Sequence, residues 1–100
     1  MLILKVAFMM KDQTSEEEQK KTLEQLVNVF SQVPGLKHKY FISDPKTGEA
    51  GGIYTFESQQ ALDNYLQSNV WRDVVLANTK GEPRIETFVV IAATDVGVLI

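Results

Sequence analysis

PGLKHKYFISDPKTGEAGGIYTFES, residues 34–58, decides the fold of this chain. Leu36 to Ser43 is rich in aromatic and β-branched residues, which suit a pleated strand. SDPKTGE supplies turn chemistry, and Ala50 to Phe56 reads as the returning strand of a hairpin. Gly51-Gly52 falls inside that second strand. Glycine weakens a strand, so a pair there implies that something approaches the backbone closely, either a neighbouring ring from Tyr40 or Phe41 or a ligand. Pro34-Gly35 stops whatever helix precedes the hairpin, and Ser58 is placed to cap the helix after it.

Working outward, both helices declare themselves. Ser15 followed three residues later by Glu18 fits a capping box, and Glu16, Glu17 and Glu18 place negative charge in a first turn, where the helix dipole favours it. Leu23, Leu26, Val27, Phe30 and Val33 then recur at helical spacing. After Ser58, Ala61, Leu62, Tyr65 and Leu66 share one face of a second helix. Leu2 to Met9 reads as a buried strand. Asn69 to Gly81, which holds Trp71, Val74, Val75 and Leu76, is irregular but too apolar for a solvated loop. Glu82 to Ala92 ends in a further strand containing FVVIAA.

The order β-α-β-β-α-β predicts a single α+β domain over residues 1–100. It is ferredoxin-like, with one four-stranded antiparallel sheet and both helices on one face. Two helices cover only one face, yet LILKVAFM and FVVIAA are apolar on nearly both. The economical cover for the open face is a second copy of the chain, so a homodimer is expected, with Lys5 at an edge of its interface. The apolar tail Asp95 to Ile100 is expected to pack across that interface.

Composition narrows the function. A net charge of −3 leaves no basic footprint for nucleic acid or an anionic membrane. Zero cysteines exclude disulfides, thiolate catalysis and sulfur-ligated zinc, and fit a reducing compartment. MLILKVAFMMK lacks a basic segment ahead of its apolar run and a cleavage site after it, so a cytoplasmic location is expected. A serine triad would have to be built on His38, the single histidine, and no nucleophile-elbow motif accompanies it. GEAGG runs into a strand and lacks the Lys-Ser/Thr ending of a phosphate loop. No His/carboxylate spacing marks a metal site, so neither metal nor cofactor is expected.

What remains is a basic and aromatic cluster on the hairpin. Lys37, His38, Lys39, Tyr40 and Phe41 lie on one strand, and Tyr54 and Phe56 on the next. Alternation puts His38 and Tyr40 on one face and Lys39 and Phe41 on the other. A register slip of one residue exchanges the two sets, so sequence leaves open which face meets a cavity.

PGLKHKYF, EAGGIYTFES and ALDNYL together resemble the YdhR family of small mono-oxygenases, within the group of dimeric α+β barrels that includes antibiotic-biosynthesis monooxygenase-like proteins. The specific part is Pro34-Gly35, Lys39, an aromatic at Phe41, and Glu49 to Tyr54; YdhR-like sequences tend to carry tryptophan where Phe41 stands. The resemblance implies a dimeric barrel and a cofactor-independent monooxygenase acting with molecular oxygen on small phenol- or quinol-like aromatics. Lys39 would then partner a substrate oxyanion, and His38 would be a second catalytic candidate, imidazole being suited to proton transfer near neutrality. Tyr40 and Tyr54 would be polar pocket residues, and Phe41, Phe56 and Trp71 apolar walls. Each has a plainer reading: a snorkelling lysine, a surface histidine, core tyrosines with satisfied hydroxyls, packed rings. A non-catalytic binding or sensing dimer and an isomerase are the alternatives on the same fold.

Overall fold

In the computed structural model, which describes residues 1–11 and 15–94, both helices begin where the caps predict. The Ser15 hydroxyl accepts the Glu18 N–H at 3.3 Å and opens α1, Glu16–Phe30. The Ser58 hydroxyl accepts the Ala61 N–H at 3.1 Å and opens α2, Gln59–Leu66. Strands β1 (Leu2–Met10), β2 (Leu36–Ser43), β3 (Ala50–Phe56) and β4 (Thr79–Val89) complete the order. They form one antiparallel sheet in the order β2-β3-β1-β4, the ferredoxin-like arrangement.

Pairing of Leu4 with Tyr54 and of Leu2 with Phe56 puts all four side chains on the helix side. There Leu4, Val6, Tyr54 and Phe56 meet Phe30 of α1, Ala61, Leu62 and Tyr65 of α2, and Trp71 and Val75. Full burial of residues of this size stabilises by roughly 1.5–3 kcal/mol each, and Leu4, Tyr54, Phe56, Leu62 and Tyr65 are all withdrawn from solvent to that degree. The irregular segment after α2 is a π-helical turn, Val70–Val75, followed by a 3-10 turn, Leu76–Asn78. Side-chain hydrogen bonds hold it. The Ser68 hydroxyl accepts the Trp71 N–H at 3.2 Å, and the Asn78 amide donates to the Val74 carbonyl at 2.7 Å. β4 therefore starts at Thr79 and stops at Val89, earlier at both ends than hydropathy alone suggests. Pro83 is tolerated because β4 is an edge strand.

Two local irregularities set the geometry of the hairpin. Leu36 pairs with Phe56 but His38 pairs with Thr55, so Lys37 is an extra, bulged residue in β2. The bulge inverts the alternation beyond it, and Leu36, Lys39 and Phe41 all face the helices. The second is Gly51, where a Cβ would lie 1.9 Å from the Val6 carbonyl oxygen of β1. The close approach expected of Gly51 is thus made by neighbouring backbone.

The opposite face carries Ile3, Lys5 and Ala7 of β1, Ile53 and Thr55 of β3, and His38, Tyr40 and Ile42 of β2. Arg84, Glu86 and Phe88 continue it on β4. Tyr40 is 61% exposed, and Phe88 is also exposed. Lys5 stands on the central strand β1, with its ammonium 3.9 Å from Glu86. The tail Asp95 to Ile100 lies outside the described residues. Among the described residues, no helix is long and apolar enough to cross a membrane.

Candidate functional site

Lys39 is carried on β2 toward α1, and its ammonium ends among three aromatic rings. Nζ lies 3.2 Å from the centroid of Phe30, 4.2 Å from Phe41 and 4.4 Å from Tyr54. The rings are set edge to face, Phe30 against Phe41 at 5.8 Å and against Tyr54 at 6.0 Å. Gly52 makes room for the lysine, since a Cβ there would stand 2.8 Å from Lys39 Cε and 3.0 Å from the Tyr54 ring. The glycine thus accommodates the aliphatic end of Lys39 and the Tyr54 ring rather than a ring from Tyr40 or Phe41.

Among the described residues, no carboxylate lies within ion-pair distance of Lys39. Burial without a counter-charge disfavours the ammonium and lowers the Lys39 pKa to about 7. The three ring faces attract the cation and work against that shift. Beneath the cage, the Tyr54 and Tyr65 hydroxyls meet at 2.8 Å. Burial pushes the Tyr54 phenol up to about 12, moderated by the bond from Tyr65. The Tyr65 phenol is raised further, first by burial and then by Tyr54. Both are neutral hydrogen-bonding groups at physiological pH.

A groove of about 260 Å³ opens beside the cage, lined by Val27, Phe30 and Ser31 of α1 and its end and by Leu36 to Phe41 of β2, Tyr40 excepted. For scale, a cavity of about 150 Å³ holds benzene, so the groove has room for a one- or two-ring aromatic. Val27, on the apolar stripe of α1, is 53% exposed at its rim. No described side-chain nitrogen or oxygen is both fully buried and without a partner. Lys39 Nζ, which has no hydrogen-bond partner, is therefore not fully sealed from solvent, and Lys39 is among the residues that line the groove.

Of the seven residues singled out from the sequence, Lys39, Phe41 and Tyr54 come together. His38 contributes to the groove rim, but its ring stands 4.4 Å from Tyr40 on the other face of the sheet. Tyr40 is accordingly remote from the cage. Phe56 is stacked behind Tyr54 at 6.0 Å, and Trp71 packs edge-on to Tyr65 at 5.7 Å, so both are core rings one layer back. Phe30 and Tyr65 read in the sequence only as helix-face residues. Their roles depend on which strand residue each helix meets, and helical spacing carries no such signal.

The family model described as "Putative mono-oxygenase ydhR" matches residues 3–93. Among solved structures, the NE2512 protein of unknown function from Nitrosomonas europaea is similar at a TM-score of 0.70 and 16% identity, over 92% of this chain and 90% of that one. A "putative antibiotic biosynthesis monooxygenase" from Deinococcus radiodurans is similar at 0.69 and 14%, over 96% and 98%. A variant of SnoaB, a cofactor-independent oxygenase from Streptomyces nogalater, is similar at 0.65 and 10%, over 94% and 96%. At these identities the likeness is one of fold. No curated protein sequence matches this chain significantly.

Proposed function

The chain belongs to the ydhR mono-oxygenase family, and on that premise we propose that it is a cofactor-independent monooxygenase of small phenol- or quinol-like aromatics, with Lys39 as the partner of the substrate oxyanion. One observation carries the reading: a lysine without a counter-ion, held among three rings, at the wall of an apolar groove of aromatic size. A phenol entering the groove presents its hydroxyl to the amine. The lysine takes the proton and, as ammonium, becomes the counter-charge of the phenolate it has made. The phenolate is electron-rich at ring carbon and gives electrons to molecular oxygen. One oxygen atom is retained as a ring carbonyl and the other leaves as water, so phenol and O₂ balance against quinone and water. Phe30, Phe41 and Tyr54 exclude bulk water and strengthen the ion pair.

The same reading includes a cytoplasmic homodimer, formed by the open sheet faces of two copies, since Ile3, Ile42, Ile53 and Phe88 form an apolar surface there. The experiment is oxygen uptake by the purified, metal-free protein against hydroquinones, anthrones and naphthols, beside Lys39→Ala. Uptake that falls by about a hundredfold in the variant is expected, the scale of losing one oxyanion-stabilising group. Saturable binding of the same compounds with no uptake would replace the oxygenase by a sensing dimer. Activity that depends on His38 and not on Lys39 would point to an isomerase.

A further inference from the structure

Independently of any oxygen chemistry, we propose that Lys39 is a covalent capture site for small apolar aldehydes and ketones, forming an imine with a carbonyl compound bound in the groove between α1 and β2. A lysine is a nucleophile only as the free amine, and surface lysines at neutral pH are almost wholly protonated. Three features set Lys39 apart. It is enclosed with, among the described residues, no carboxylate to hold it as an ammonium, whereas Lys37 on the same strand has Glu57 at 3.4 Å. Its Nζ is within 3.2–4.4 Å of three ring centroids yet not fully sealed from solvent, and Lys39 lines the groove. The groove itself is walled by Val27, Phe30, Leu36 and Phe41, which suit an apolar group attached to the carbonyl. Burial, by bringing the Lys39 pKa to about 7, keeps a large fraction of the amine free at neutral pH.

The step balances without oxidant or reductant. The amine lone pair adds to the carbonyl carbon and forms the C–N bond. The C–O bond then breaks, water leaves carrying both hydrogens of the amine nitrogen, and C=N remains. The resulting imine, once protonated, is a cation of the same charge as the ammonium it replaces, in the same ring cage.

The titratable groups around Lys39 are Tyr54 beneath it, Tyr65 behind Tyr54, and Lys37 and His38 on the rim. Both tyrosines stay protonated through the range of interest. The test treats the whole protein with benzaldehyde and sodium cyanoborohydride from pH 6 to 10, then locates benzylated lysines by peptide mass spectrometry. At pH 7 Lys39 should label at least about tenfold faster than Lys37, its neighbour on the same strand. Its rate should level off above about pH 7–8, where the Lys39 amine is already free. In urea the two rates should converge. Equal labelling of Lys37 and Lys39 at pH 7 in the folded protein, or a Lys39 rate with no plateau above about pH 8, overturns the proposal. A protein whose Lys39 captures benzaldehyde but consumes no oxygen would retain this site and lose the oxygenase reading.

Discussion

Replacing Lys39 by methionine should stabilise the protein below neutral pH, an unusual outcome for deleting a charged side chain. A lysine with a lowered folded pKa binds fewer protons in the native than in the unfolded state between the two pKa values. Stability therefore rises with pH across about 7 to 10.5, and the cost of the buried ammonium is complete below pH 7. At about 1.4 kcal/mol per pH unit, that window sets a ceiling of roughly 5 kcal/mol. The cage returns part of it, since cation–π contacts contribute about 0.5–2 kcal/mol, and the incomplete sealing of Nζ returns more through solvation. Methionine is unbranched, fills the same channel beside Gly52 and packs well against rings. We expect Lys39→Met to gain about 2 kcal/mol at pH 6, falling by about two-thirds at pH 9.5 as the wild-type lysine escapes its penalty. Urea unfolding of both proteins at the two pH values, at one protomer concentration, measures the difference. A variant no more stable than wild type at pH 6, or a difference independent of pH, would refute the claim that Lys39 is an uncompensated buried cation.

The two adjacent glycines should respond to different degrees. Gly51→Ala forces a Cβ onto the Val6 carbonyl of β1, which cannot yield, and should cost about 3 kcal/mol or more by thermal unfolding. Gly52→Ala meets the flexible end of Lys39 but also the buried Tyr54 ring at 3.0 Å, so the fold should lose about 1–2 kcal/mol while the labelling rate of Lys39 changes at least severalfold. Tyr65→Phe strands the buried Tyr54 hydroxyl and should destabilise by about 1–3 kcal/mol. It should also move the Tyr54 phenol further up from about 12 in an ultraviolet titration, because the bond from Tyr65 now lowers it. Sedimentation should show a dimer that Ile53→Lys, at the middle of the open sheet face, converts to monomer; an unchanged dimer would place the interface elsewhere.

Local chemistry makes much of this legible in the sequence. Caps at Ser15 and Ser58 and the turn between β2 and β3 act over three or four residues, so the chain itself declares them. The element order then leaves few topologies, and the ferredoxin-like one is observed. The segment around Trp71 is less readable, because its π and 3-10 turns rest on individual hydrogen bonds from Ser68 and Asn78 rather than on a period.

Lys39, Phe41 and Tyr54 could be named as candidates from the sequence, and alternation already separated Lys39 and Phe41 from His38 and Tyr40; which of the two sets meets the helices could not be read there. Strict alternation puts Leu36 with His38; the bulge at Lys37 puts it with Lys39 instead, and a bulge is decided by how two strands fit, not by either strand alone. Phe30 enters the site the same way, through the meeting of α1 and β2 across the groove. The sequence by itself determined the elements, their order and the residues able to do chemistry, all set by interactions between near neighbours in the chain. Only the tertiary structure decided which face each strand residue takes and that Lys39 is enclosed by rings without a counter-ion, because those are contacts between residues far apart in sequence.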